Sequence, residues 1–155
     1  MRLVSLTVLA GAALAAAPGL RAQSLEAPPA ATTATRRAAQ MPQQLPFSQA
    51  VRAGNLLFVS GTLGTDSTGR LVTGGIEAET RQTMQNIKAI VERNGTTMDN
   101  VVKCLVMLAD MAEWGRMNSV YVTFFPNRKP ARSAFGASGL ALNARVEIEC
   151  IAEIK

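Results

Sequence analysis

The C-terminal run Val146-Glu-Ile-Glu-Cys-Ile-Ala-Glu-Ile-Lys155 alternates apolar and polar side chains with a period of two. In a β-strand, successive side chains point to opposite faces. Val146, Ile148, Cys150, Ala152 and Ile154 therefore share one face, and Arg145, Glu147, Glu149, Ile151 and Glu153 share the other. Such a strand needs a sheet to pair with and a layer to cover its apolar face.

The covering layer is legible upstream. Residues 76–94 carry Met84, Ile87 and Val91 at helical spacing, and Gly95 follows as a stop. Asp110-Met-Ala-Glu113 fits a capping box, opening a second helix with Met117, Val120, Tyr121 and Phe124 on one stripe before Pro126 ends it. Residues 47–52 and 56–59 flank Ala-Gly-Asn and read as a hairpin, with Ser60-Gly61 closing its second strand. Asp66-Ser-Thr-Gly69 reads as a turn. Residues 101–109 form a third strand with Val102, Cys104, Val106 and Leu108 on one face; residues 131–137 and 144–154 form the last two. The order β-β-α-β-α-β-β predicts an α+β fold, two helices on one face of a mostly antiparallel or mixed sheet. The second hairpin strand is apolar throughout, so the other sheet face also calls for a neighbour, and an oligomer packing sheet to sheet would supply one.

The chain has no histidine. Acid–base chemistry near neutral pH therefore falls to carboxylates, the single Tyr121, a lysine or a cysteine. Arg132, in Pro-Ala-Arg-Ser, and Glu147, in the alternating strand, are the candidates. A guanidinium grips a carboxylate through two parallel hydrogen bonds, and a carboxylate orients or deprotonates water. Taken singly, each is by default a surface charge, as Glu149 and Glu153 are read to be. Tyr121 and Phe124 read as core from their spacing, and Trp114 near the helix start has no assignable role. Cys104 and Cys150 are the only cysteines, without a CxxC or Cys/His cluster, so zinc is not expected. Both sit in apolar strand patterns and read first as buried free thiols, with a disulfide as the alternative.

Several ordered blocks then resemble the RidA (YjgF) family of reactive-intermediate deaminases over residues 46–155. They are Phe58-Val-Ser60-Gly61, the helix Arg81-Gln-Thr-Met-Gln-Asn-Ile-Lys-Ala-Ile-Val91, Met117-Asn118-Ser-Val-Tyr121 with Phe124-Phe125, Pro130-Ala-Arg132-Ser133, and Val146-Glu147-Ile148. The resemblance implies a chorismate-mutase-like fold and a homotrimer with clefts between subunits. It implies cofactor-independent hydrolysis of enamine and imine acids, such as 2-aminoacrylate, to 2-keto acids and ammonia. By position, Arg132 would bind the substrate carboxylate and Glu147 would position water. Ser60 and Gly61 would line the pocket, and Asn118 would approach it. Phe47 stands where family members often carry tyrosine, and Ala134 where they often carry cysteine, so a phenol and a thiol are missing from those places. The alternative is a non-catalytic module binding 2-keto acids or other small carboxylates in the cell envelope.

The N-terminus reads as an export signal over residues 1–22: Arg2, an Ala/Leu/Val-rich stretch, Pro18, and Leu20-Arg21-Ala22 before a mature start at Gln23. The stretch is too short and too broken by proline for a stable bilayer span, so a secreted or periplasmic location is expected after cleavage. Residues 23–45, rich in Ala, Thr and Pro, read as a flexible linker. The net charge of +5 falls to +2 past residue 40, where 12 basic residues face 10 acidic ones. Without a clustered basic patch or a histidine, nucleic-acid binding and RNA cleavage rank last.

Overall fold

The computed structural model describes residues 45–155. The export signal at 1–22, and the linker at 23–45 apart from its last residue, lie outside the described residues. The elements run β1 (Ala50–Ala53), β2 (Leu56–Leu63), α1 (Gly75–Arg93), β3 (Val101–Leu108), α2 (Trp114–Tyr121), β4 (Ala131–Gly136) and β5 (Val146–Glu153). The expected order is the observed one. In space the sheet runs β1-β2-β5-β3-β4. All neighbours are antiparallel except β3 and β4, which are parallel and joined by the crossover through α2.

Alternation on β5 decides where the core lies. Val146, Ile148, Cys150 and Ala152 are buried on the helix side of the sheet, with Val106 and Leu108 of β3 beside them. Ile76, Met84, Ile87, Ile90 and Val91 of α1 close over them, together with Met117 and Tyr121 of α2. Each such side chain contributes about 1.5–3 kcal/mol on removal from water. Gly95 stops α1 in the left-handed region, at φ 82°, and its N–H donates to Glu92 O at 3.0 Å.

Three local expectations need correction. Ser60-Gly61 does not close β2. The strand continues to Leu63 through a bulge: Val59 pairs with Cys150 and Thr62 with Ile148, so β2 carries one residue more than β5 in this interval. A second irregularity between Val101 and Lys103 puts Val101, not Val102, into the core. Asp110 does cap its turn, accepting from Ala112 N–H at 2.8 Å, but a short 3-10 turn, Met111–Glu113, precedes α2. Glu113 does not reach back; it accepts from Arg145 Nη1 at 2.8 Å, and Arg145 N–H donates to the buried Glu79 at 2.8 Å. Those bonds tie both helices to the start of β5.

The cysteines are not free thiols. Cys104 and Cys150 are directly opposed on antiparallel β3 and β5, their Cα atoms are 4.1 Å apart, and they form a disulfide. Cross-strand opposition places both side chains on the helix side at a separation within reach of a bridge.

Candidate active site

Arg132 lies on the edge strand β4, paired in register with Cys104, so its side chain leaves the sheet on the helix side. There it meets α2. Its Nη1 donates to Asn118 Oδ1 at 2.8 Å. Its guanidinium carbon lies 4.7 Å from the centroid of the Tyr121 ring and 5.6 Å from that of Trp114. No carboxylate pairs with Arg132 among the described residues, whereas Arg116 and Arg145 both have acidic partners. A half-buried, unpaired guanidinium with in-plane donors open is a receptor for an anion.

Tyr121 is buried, and its hydroxyl has no hydrogen-bond partner among the described residues. Burial pushes the phenol up to about 12, and the charge of Arg132 only partly opposes this. Tyr121 is therefore neutral across the physiological range. It serves Arg132 with the face of its ring, and it is not a base.

Glu147 is placed elsewhere. It stands on β5 opposite Leu63 of β2 and Met107 of β3, on the outer face of the sheet. Its carboxylate folds over Gly61, where a Cβ would collide with Glu147 Oε1. The bulge at Ser60-Gly61 and the absence of a side chain on Gly61 thus make the space that Glu147 fills. Ser60 donates from its hydroxyl to Ser48 O at 2.7 Å and from its backbone N–H to Gln49 O at 2.9 Å. These bonds hold the segment after Phe47 against the bulge; Phe47 itself is 54 % exposed.

The residues expected to share a site thus form two groups. Arg132 and Asn118 lie on the helix side, while Glu147 lies with Gly61 on the outer face at the Ser60 bulge; Phe47 is exposed and joins neither group. A concavity of ≈ 360 Å³ on the outer face, lined by Val51, Phe58, Lys103, Leu105, Glu149 and Ile151 among others, has Ser60 in its wall but neither Arg132 nor Glu147. Sequence reasoning missed Trp114 and assigned Tyr121 to the core alone. The spacing of Trp114, Asn118 and Tyr121, i, i+4 and i+7, was the signal that these three share a stripe.

A family model described as Endoribonuclease L-PSP matches residues 38–154. The chain belongs to this family, which includes the RidA and YjgF proteins. Its domain is 43% identical over 108 residues to the mouse protein named 2-iminobutanoate/2-iminopropanoate deaminase, a match spanning 69% of this chain and 80% of that one. It is 43% identical over 110 residues to the chloroplastic Reactive Intermediate Deaminase A of Arabidopsis thaliana, spanning 70% of this chain and 59% of the plant protein. The crystal structure of RidA from an Antarctic Psychrobacter superposes with a TM-score of 0.72 at 36% identity, covering 77% of this chain and all of that one (100%). The RidA fold of two helices on a five-stranded mixed sheet is the one described above.

Proposed function

We propose that this protein hydrolyses reactive enamine and imine acids of the 2-aminoacrylate type to 2-keto acids and ammonia, without a cofactor. The observation that carries the reading is Arg132: without a carboxylate partner among the described residues, flanked by aromatic rings, and tied at one edge by Asn118. That is a receptor for a planar carboxylate. The names of the mouse and plant relatives supply the reaction class.

The chemistry asks little of the protein. An enamine acid tautomerises to its imine, whose C2 is already electrophilic. With the imine nitrogen protonated from solvent, Glu147 takes a proton from water as the oxygen bonds to C2 and the C=N π pair moves to nitrogen. The resulting carbinolamine collapses: Glu147 returns its proton to the amino nitrogen, the C–N bond breaks with its electron pair leaving on ammonia, and the hydroxyl proton passes to Glu147 and on to water as the keto group forms. The carboxylate stays on Arg132 throughout.

Arg132 and Glu147 leave opposite faces of one sheet, so this mechanism requires a second copy of the chain to bring them together. A homotrimer with clefts between subunits meets that requirement. The reading extends to an exported location after loss of residues 1–22, supported by the disulfide, because such bonds persist in oxidising compartments.

The test is release of ammonia and 2-keto acid from 2-iminobutanoate generated in situ. Arg132→Ala should lower kcat/KM by about a hundredfold or more. Glu147→Gln should lower kcat by a similar factor, about a hundredfold, with the keto acid still bound. A wild type that binds 2-ketobutyrate calorimetrically but turns over no imino acid would replace the enzyme reading with a carboxylate-binding module.

A further inference from the structure

Trp114 is the only tryptophan in the chain, and the reaction outlined above does not use it. It opens α2 and is 40 % exposed, unlike the buried aromatic Tyr121 two turns on. Trp114, Asn118 and Tyr121 share one stripe of α2, so the helix presents ring, amide and ring in succession along the path of Arg132. The three contacts are complementary in kind. A guanidinium donates hydrogen bonds in its plane and meets π-systems through its faces. Asn118 takes one in-plane donor of Nη1. The two rings restrain the group while taking none.

Among the described residues β4 is an edge strand, bonded only to β3, so the sheet itself gives the long side chain of Arg132 no second wall. Asn118 alone would fix one nitrogen and leave the guanidinium plane free to swing about that bond.

We propose that Trp114 is a positioning residue for Arg132. With Tyr121 it orients the guanidinium so that the edge not held by Asn118 is presented to the ligand carboxylate, and its own half-exposed ring reports whether that edge is occupied. The inference rests on Arg132 being the carboxylate clamp. A ring whose role is confined to packing α2 would be indifferent to what Arg132 binds.

Because the chain has one tryptophan, its intrinsic emission is a reporter at the site. Titrating the wild-type protein with 2-ketobutyrate, with chloride as an ionic-strength control, should give a saturable change in emission that disappears in Arg132→Ala. In the deaminase assay Trp114→Ala should raise KM by about three- to thirty-fold, the span open to one cation–π contact. Its kcat should stay within about twofold, the pattern of lost uniform binding. The Kd for 2-ketobutyrate, measured by calorimetry, should rise in parallel, and Trp114→Phe should restore most of both. An unaltered KM and Kd in folded Trp114→Ala, or emission unmoved at saturating keto acid, overturns the inference. If Trp114→Ala does not fold, comparison of Trp114→Phe with Trp114→Leu decides by the same criteria.

The two readings fail separately. A wild type without turnover, whose emission follows keto-acid binding and whose binding is weakened in Trp114→Ala, removes the deaminase and keeps the positioning role. Full turnover with an indifferent Trp114→Ala does the reverse.

Discussion

At Tyr121 burial outweighs a neighbouring charge: desolvation raises its phenol, and the charge of Arg132 only partly opposes this. Tyr121 places in the core a hydroxyl with no hydrogen-bond partner among the described residues, and its ring 4.7 Å from a cation. The ring is what Arg132 uses; the hydroxyl costs free energy by lying unpaired out of water. Tyr121→Phe keeps the ring and removes the cost. This substitution should raise stability by up to about 1 kcal/mol and leave KM within about twofold. The pH dependence gives a sharper signature. An unfolded tyrosine ionises near 10, while burial holds the folded phenol up to about 12. Between those values the unfolded chain has lost a proton that the folded chain keeps, so the contribution of Tyr121 to stability is fully present below pH 10 and falls as pH rises towards 12. The unfolding free energy read from denaturant melts at pH 9 and upward should therefore fall less steeply for Tyr121→Phe than for wild type, so that the gap between the two widens. Parallel pH profiles for the two proteins would contradict the assignment. Gly61 belongs to the same scale: Gly61→Ala should displace the Glu147 carboxylate and lower kcat with a smaller effect on KM, because the three heavy atoms nearest an added Cβ all belong to that side chain.

At the scale of elements, the disulfide fixes the relation of β3 to β5 and so bears on both halves of the site. Cys104 is the register partner of Arg132, and Cys150 lies three residues beyond Glu147 on the same strand. The bridge spans a sequence separation of 46, for which loop-closure entropy in the unfolded chain corresponds to about 4 kcal/mol. Reduction, or Cys104→Ala with Cys150→Ala, should lower the unfolding free energy by about 2–4 kcal/mol and depress Tm, as read by calorimetry with and without reductant. Equal Tm values in the two conditions would show that the bridge contributes nothing. The same elements show what can be read from sequence. Period-two alternation on β5 identified its faces, and helical spacing identified Met84, Ile87, Val91 and Met117 as core, because both patterns are properties of a single segment. The bulge at Ser60-Gly61 and the displacement of Val102 by Val101 are properties of a pair of strands. A slip of one residue depends on the partner, and neither strand carries it alone. The disulfide has the same origin: the thiols became a bridge because β3 and β5 place them directly opposite. Arg132 and Glu147 were legible as residues through the blocks around them. That they leave opposite faces follows only from the register of β4 on β3, which sets Arg132 opposite the inward-facing Cys104 while Glu147 lies opposite Met107.

For the whole molecule, the outer face of the sheet and the division of the site pose one problem. That face carries Phe58 at 42 % and Phe135 at 46 % exposure, with Val51, Leu105 and Ile151 beside them and Lys103 and Glu149 among them. Contiguous apolar surface of this kind is characteristic of a surface that meets another. The proposed trimer would cover it and, in the same step, bring the Glu147 of one copy to the Arg132 of the next. Cyclic symmetry makes the consequence countable. Arg132→Ala chains retain Glu147, and Glu147→Gln chains retain Arg132. Each is inactive alone under the proposed mechanism. When the two are co-expressed in equal amounts and assemble at random, a cleft works when its Arg132 side comes from a Glu147→Gln chain and its Glu147 side from an Arg132→Ala chain. Each condition holds for half of the positions, so activity should return to about one quarter of the wild-type value per site. A site built within one chain would recover nothing, because every chain in the mixture lacks one of the two groups. Sedimentation equilibrium supplies the companion measurement: a mass three times that of the chain for the wild type and for both variants. A monomeric mass, or a mixture as inactive as its components, would leave Arg132 and Glu147 on opposite faces of a single sheet and rule out their joint action on one substrate.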